Sequence, residues 1–115
     1  MQPQQWIVRS QQLVFALSGR GRLTGIAMRG PDEAFEPWSG MLTLRDCRED
    51  GDAEAESLPG GGVRWTKRWI RASDGAACRS VETFAPGPGS VSWEVTIEGE
   101  GAPWSTAIET TLAAP

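Results

Sequence analysis

Four glutamates in the second half of the chain are the residues whose type and spacing could carry acid and base chemistry. Glu94 and Glu98 have the even spacing that places them on one face of a strand, and Glu82 and Glu109 lie in neighbouring predicted strands. Glycoside hydrolysis uses two such carboxyl groups, one as acid and one as base or nucleophile, and needs no histidine. A small carboxylate-dependent hydrolase is therefore one hypothesis, although alternation alone produces this arrangement on any exposed sheet face.

The six tryptophans are the second chemical feature. Indole faces stack on the apolar faces of sugar rings, and they also fill protein cores. Trp65, Trp69 and Trp93 are in phase with aliphatic neighbours, which predicts core positions. Trp38 and Trp104 each follow a proline and precede a serine in loop-like surroundings. We predict these two as the carbohydrate-binding residues, with packing that anchors a loop as the alternative.

Composition excludes several classes of function. The chain of 115 residues contains no histidine, which excludes Ser-His-Asp and Cys-His hydrolysis and ordinary catalytic zinc sites. The net charge of -4 disfavours binding to nucleic acid or to an anionic membrane. The longest apolar runs are too short to cross a bilayer. We therefore expect a soluble protein, cytoplasmic or secreted. The excess of arginine over lysine and the abundance of alanine and glycine suggest a bacterial source.

Neither the cysteines nor the acidic stretch predicts a metal or a cofactor. Cys47 and Cys78 lack the Cys-x-x-Cys spacing of zinc ribbons and dithiol motifs, and a disulfide or two free thiols both remain open. The carboxylates between residues 46 and 56 lack the Asp-x-Asp-x-Asp-Gly pattern of a calcium loop. We predict that residues 46–62 form a solvated loop.

The elements that must position these residues are strands, most clearly in the second half. Residues 91–98 alternate between apolar and polar side chains, which predicts a half-buried strand. Strands are also predicted over 63–69, 78–84 and 104–112, because turn residues such as Pro86 to Gly89 separate them. Lys67 interrupts the apolar face of its own strand. The second half is therefore predicted to be an antiparallel meander.

The first half follows the same logic less regularly. Strands are predicted over residues 6–8, 13–17, 23–28 and 41–44, with a hairpin turn at 18–21 and a loop that runs from residue 30 through Trp38. No stretch has the apolar spacing of a long helix, and at most a helical turn is expected at 32–35. The predicted fold is all-β: one antiparallel β-sandwich of about seven to eight strands, spanning residues 1–115.

Two stretches carry a family resemblance. The segment SQQLVFALSGRGRLTGI at residues 10–26 resembles the opening hairpin of galactose mutarotase-like β-supersandwich domains. The segments VETFAP at 81–86, VSWEVTI at 91–97 and GAPWSTAI at 101–108 are similar to the sandwich that precedes the helical barrel in some bacterial glycoside hydrolases. The resemblance covers about half of the chain. It implies a portion of a larger supersandwich, because such domains are considerably longer.

The resemblance implies an accessory domain and no catalytic residue, since mutarotases work with histidine and glutamate and this chain has no histidine. The leading hypothesis is a non-catalytic domain of a glycoside hydrolase that packs beside a catalytic domain or second polypeptide and contacts an oligosaccharide. The first alternative is a stand-alone interaction or assembly module that pairs through an exposed sheet edge. The second is the carboxylate-dependent hydrolase.

Overall fold

The computed structural model describes residues 5–99 with their side chains and the backbone of 106–112. Within these ranges the chain contains strands and turns and no helix, so no helix there is long and apolar enough to cross a membrane. The strands in chain order are β1 (Gln5–Arg9), β2 (Leu13–Ser18), β3 (Leu23–Met28), β4 (Glu36–Leu44), β5 (Cys47–Glu49), β6 (Glu54–Ser57), β7 (Val63–Arg71), β8 (Ala77–Pro86), β9 (Val91–Gly99) and β10 (Thr106–Leu112).

The strands form two antiparallel sheets. The first sheet has the order β1-β2-β3-β4-β10, and the second has the order β5-β7-β8-β9, with β6 also paired to β7. Apolar residues from both sheets meet in the core, as expected for a β-sandwich. The predicted all-β antiparallel sandwich is therefore confirmed.

Trp65 occupies the centre of the larger core cluster. Its ring is fully buried and makes edge-on contacts with Trp6 and Phe84, at centroid distances of 5.9 and 5.7 Å. The indole Nε1 donates a hydrogen bond to the carbonyl oxygen of Gly19, 3.0 Å away in the β2–β3 turn. Gly21, in the same turn, has a φ of +78°, and a Cβ there would lie 3.2 Å from the Trp65 ring. The tight turn predicted at 18–21 thus closes directly on the core.

The structure corrects two local predictions. Residues 46–62 are not one loop, because β5 and β6 lie within them and raise the number of strands above the predicted eight. The Glu-Ala-Glu-Ser alternation of β6 turns Ala55 towards the core, while its glutamates point outwards, where Glu56 pairs with Arg64. The meander covers only β7 to β9, since β10 pairs with β4 in the other sheet. Residues 32–35 contain no helical turn.

The β7–β8 turn is held by a bidentate ion pair. Arg71 donates from Nε and Nη2 to the two carboxylate oxygens of Asp74, at 3.0 and 2.8 Å, and the backbone N–H of Ala76 donates to the same carboxylate. These hydrogen bonds lower the pKa of Asp74 to about 2. The turn is therefore stabilised by the charged form of the carboxyl group.

The stability provided by this turn should depend on pH. Because the folded pKa of Asp74 lies below its ordinary value of about 3.9, the contribution is complete above pH 4 and is lost as the pH falls towards 2. Asp74→Asn should lower the urea midpoint at pH 7, and its difference from the wild type should shrink at pH 2. Equal differences at both pH values would contradict the assignment.

Candidate functional site

A groove on the first sheet is the candidate binding site, and β3, β4 and the loop between them form it. Its volume is about 240 Å³. Ile26 and Glu36 are opposite each other in the β3–β4 register, and Trp38 follows two residues after Glu36, so all three side chains share one face. The residues that line the groove are Ile26, Ala27, Met28, Asp32, Ala34, Glu36 and Trp38.

The groove combines an apolar wall with carboxylates at its rim. Ile26 and Trp38 are half-buried and pack against the larger core cluster, which fixes the wall in place. Met28 is 67% exposed. Asp32 and Glu36 are exposed, and within the described part of the chain neither side chain makes a hydrogen bond or an ion pair. The site therefore has apolar surface for a flat ligand and two free acceptor groups beside it.

Trp38 lies in a strand, contrary to the prediction of a loop. Strand β4 begins at Glu36, and Pro37 is tolerated because β4 is bulged against β3 at this point. On its other side Trp38 is opposite Leu112 of β10. Trp104, the second predicted carbohydrate-binding residue, lies outside the described residues. Only Trp38 of the predicted pair is therefore placed at a groove.

The four glutamates considered for acid and base chemistry do not share a face. Glu94 and Glu98 are exposed on the outer face of β9. Glu82 points to the opposite face, in the core, and is fully buried. Glu109 belongs to β10, in the other sheet. The prediction of a common face is therefore wrong for Glu82. Glu82 lies on the same face of β8 as Phe84 and Cys78, which are also buried.

Lys67 and Glu82 form an ion pair on the face of the second sheet that points into the core. Their side chains are 1% and 0% exposed, and Lys67 Nζ lies 3.5 Å from Glu82 Oε1. The other carboxylate oxygen of Glu82 accepts a hydrogen bond from Trp93 Nε1 at 3.1 Å. Lys67 Nζ also lies 5.9 Å from the centroid of the Trp69 ring. Because the pair is enclosed, its role is in folding energetics and not in contact with a solute.

Burial determines the titration of Glu82. Desolvation raises the pKa of Glu82, and the charge of Lys67 and the hydrogen bond from Trp93 oppose that shift. Glu49, which is opposite Trp69 on β5, adds a like charge that also raises the pKa. Arg20 partly neutralises Glu49 through a contact of 2.8 Å. Neither Lys67 Nζ nor Glu82 Oε1 has a hydrogen-bond partner in the described part of the chain.

The buried pair is the feature that sequence reasoning missed. The signal was present, because Lys67 is in phase with Trp65 and Trp69, and Glu82 is in phase with Phe84. One charged residue of each sign on the apolar faces of consecutive strands predicts a buried pair. The alternation of β9 and its neighbours predicts a polar face for Glu82 instead, and that prediction is wrong.

The cysteines and the acidic stretch provide no reactive centre or metal centre. Cys47 and Cys78 are free, and burial raises the pKa of both thiols, which keeps them protonated and weakly nucleophilic at neutral pH. Within residues 5–99, no group of acidic or cysteine side chains is arranged to hold a metal ion. The outer face of the second sheet carries a depression lined by Thr66, Arg64, Arg79 and Thr96, without any aromatic side chain.

Comparison with known proteins adds no relative. No protein-family model, no curated protein sequence and no solved structure matches this chain.

Proposed function

We propose that this chain is a non-catalytic β-sandwich domain of a glycoside hydrolase, and that the groove beside Trp38 contacts the sugar. One observation carries the proposal: a half-buried tryptophan lines a groove that has two unpaired carboxylates at its rim. The resemblance of residues 10–26 to supersandwich domains, and of residues 81–86, 91–97 and 101–108 to the sandwich of some bacterial glycoside hydrolases, supports the same class of enzyme.

The groove's size and wall favour a single ring as ligand. Its volume of about 240 Å³ is below the roughly 300–1,000 Å³ of sites for drug-sized molecules. An indole wall offers a flat apolar surface for the C–H face of a pyranose. Because Trp38 packs against the core, stacking costs little side-chain entropy. One sugar unit of an oligosaccharide therefore fits this wall.

The two carboxylates supply the polar half of recognition. A carboxylate accepts hydrogen bonds through two oxygens, and bonds to a charged acceptor are stronger than neutral ones. Asp32 comes from the β3–β4 loop and Glu36 from the start of β4, so they approach the groove from different elements. The groove thus favours a neutral sugar with free hydroxyl groups and repels acidic sugars.

Exposed apolar side chains support contact with a catalytic domain. Ile7 is 38% exposed and is opposite Ala16, which is opposite Gly25. Phe35 is 41% exposed and lies close to Gly25, where a Cβ would meet its ring at 3.4 Å. Ile7 and Phe35 are thus two exposed apolar side chains on the outer face of the first sheet, with the buried Ala16 and Gly25 between them. A neighbouring domain would cover such side chains.

Removing the wall or the acceptors should weaken binding to neutral oligosaccharides. We expect Trp38→Ala to abolish measurable binding and Asp32→Asn to weaken it roughly tenfold, since a hydrogen bond to a charged group contributes about 1.5–3 kcal/mol. Isothermal titration calorimetry with a panel of neutral oligosaccharides measures both.

Asp52→Asn is the matched control, because Asp52 is an exposed carboxylate outside the groove. It should bind as the wild type does. Urea unfolding of each variant separates lost binding from lost folding. Equal affinity of Trp38→Ala and the wild type would remove the groove from the proposal.

A further inference from the structure

We propose that two copies of this chain associate by antiparallel pairing of their β9 strands. This inference is independent of the sugar groove. Strand β9 is nine residues long and pairs with β8 along its whole length without a bulge. Among the described residues β9 has no partner on its other side. An edge of this kind presents unpaired backbone N–H and C=O groups that another strand can satisfy.

The other described edges are shorter or interrupted. Strand β1 has five residues, and its Arg9 is paired with Glu33. Strand β10, the far edge of the first sheet, has seven residues. The opposite edge of the second sheet consists of two separate strands, β5 with three residues and β6 with four. Strand β9 contains neither proline nor lysine, which commonly protect edges. It is therefore the edge best suited to strand addition.

Charge selects one register for a two-fold pair. Residues opposite each other must share a face, so the two-fold axis passes through a residue of β9. Glu94, Val95 and Thr96 are the centres that pair at least seven of the nine residues of β9. Centring on Glu94 places this glutamate opposite its own copy, and centring on Thr96 places Glu94 opposite Glu98 twice. Like charges directly opposite each other are destabilising. Centring on Val95 avoids both arrangements.

The register centred on Val95 also pairs the most residues and buries the apolar face. It places Trp93 opposite Ile97, Glu94 opposite Thr96, and Ser92 opposite Glu98 of the second copy. All nine residues of β9 are then paired. Val91, Trp93, Val95 and Ile97 are each only half-buried in one chain, so the second copy covers apolar surface that the monomer leaves accessible. The result is a closed two-fold dimer with a continuous second sheet.

The expected dimer is weak, with a dissociation constant on the order of 10–100 μM, because a single strand pair buries less than a standard interface. Sedimentation velocity over a range of protein concentrations measures it. Thr96→Glu places a second carboxylate opposite Glu94 at two symmetry-related positions and should weaken the dimer roughly tenfold. Thr96→Lys places opposite charges there and should tighten the dimer in a salt-sensitive manner.

Thr24→Glu is the matched control. Thr24 is exposed on β3, in the first sheet, and is not on or next to β9. This variant adds the same charge away from the edge and should dimerise as the wild type does. A wild type that stays monomeric at several hundred micromolar overturns the proposal. Equal dimerisation of the Thr96→Glu and Thr96→Lys variants overturns it as well.

Discussion

Replacing Lys67 with methionine should lower the free energy of unfolding by about 3–5 kcal/mol at neutral pH. The substitution keeps the apolar stem but removes the only cation that faces Glu82 within 4 Å among the described residues. Glu82 is fully buried, and among the residues that the structure describes the hydrogen bond from Trp93 is then its only remaining compensation. An uncompensated charge in a protein interior is costly because its hydration is lost. Urea unfolding followed by tryptophan fluorescence measures the change.

The double variant Lys67→Met with Glu82→Met is the control for this prediction. Replacing both members of a buried ion pair by apolar residues of similar size is often neutral or stabilising. We therefore expect the double variant to recover most of the stability that the single variant loses. A double variant as unstable as Lys67→Met would show that packing, and not charge, accounts for the loss.

The same variant should respond to pH in a defined direction. The pKa of Glu82 is raised by burial, so the folded state binds more protons than the unfolded chain between the ordinary and the raised pKa. Stability consequently falls as the pH rises through that window. Without Lys67 the pKa of Glu82 rises further, and Lys67→Met should recover stability as the pH is lowered from neutral towards 5. The double variant should lack this recovery.

Trp65→Ala should destabilise the protein by about 3–5 kcal/mol, the cost typical of removing a large core side chain. Trp65 is fully buried and contacts Trp6 and Phe84 with ring edges. The substitution opens a cavity and leaves the carbonyl oxygen of Gly19 without its indole donor. The midpoint of urea unfolding measures the effect.

Trp65→Phe separates packing from hydrogen bonding. It retains a ring but loses the N–H group, so its cost should be clearly smaller than that of Trp65→Ala. Gly21 has a positive φ and approaches the same ring, and the β2–β3 turn should therefore be disturbed in the alanine variant. A loss below about 1 kcal/mol for Trp65→Ala would contradict the central position of this side chain.

The sequence predicted most of the strands because their alternation was strong. Residues 91–98 follow a strict period of two, and the structure places β9 there. Strands β5 and β6 were missed because their residues are mostly charged, and only pairing to the edge of β7 makes them strands. The place of β10 in the other sheet was also missed, because local alternation contains no information on long-range pairing.

The candidate site was predictable only in part. The proline before Trp38 indicated a loop, whereas the bulged pairing with β3 accommodates it within β4. The contribution of Asp32 and Glu36 to the groove depends on the path of the β3–β4 loop, which no residue spacing reveals. The Lys67–Glu82 pair could have been predicted from the two-residue period of each strand, which places both residues among buried aromatic side chains. A glutamate in a strand more commonly lies on the exposed polar face, and this favoured the wrong position for Glu82.

The most direct test of the sugar groove is a titration of the indole N–H signals by nuclear magnetic resonance. The protein labelled with nitrogen-15 is titrated with neutral oligosaccharides at millimolar concentration, and Trp38→Phe assigns the signal of Trp38. The proposal predicts a saturable shift of the Trp38 signal, while those of the buried Trp65 and Trp69 stay unchanged. An unchanged Trp38 signal across the whole panel would contradict a role for this groove in sugar contact.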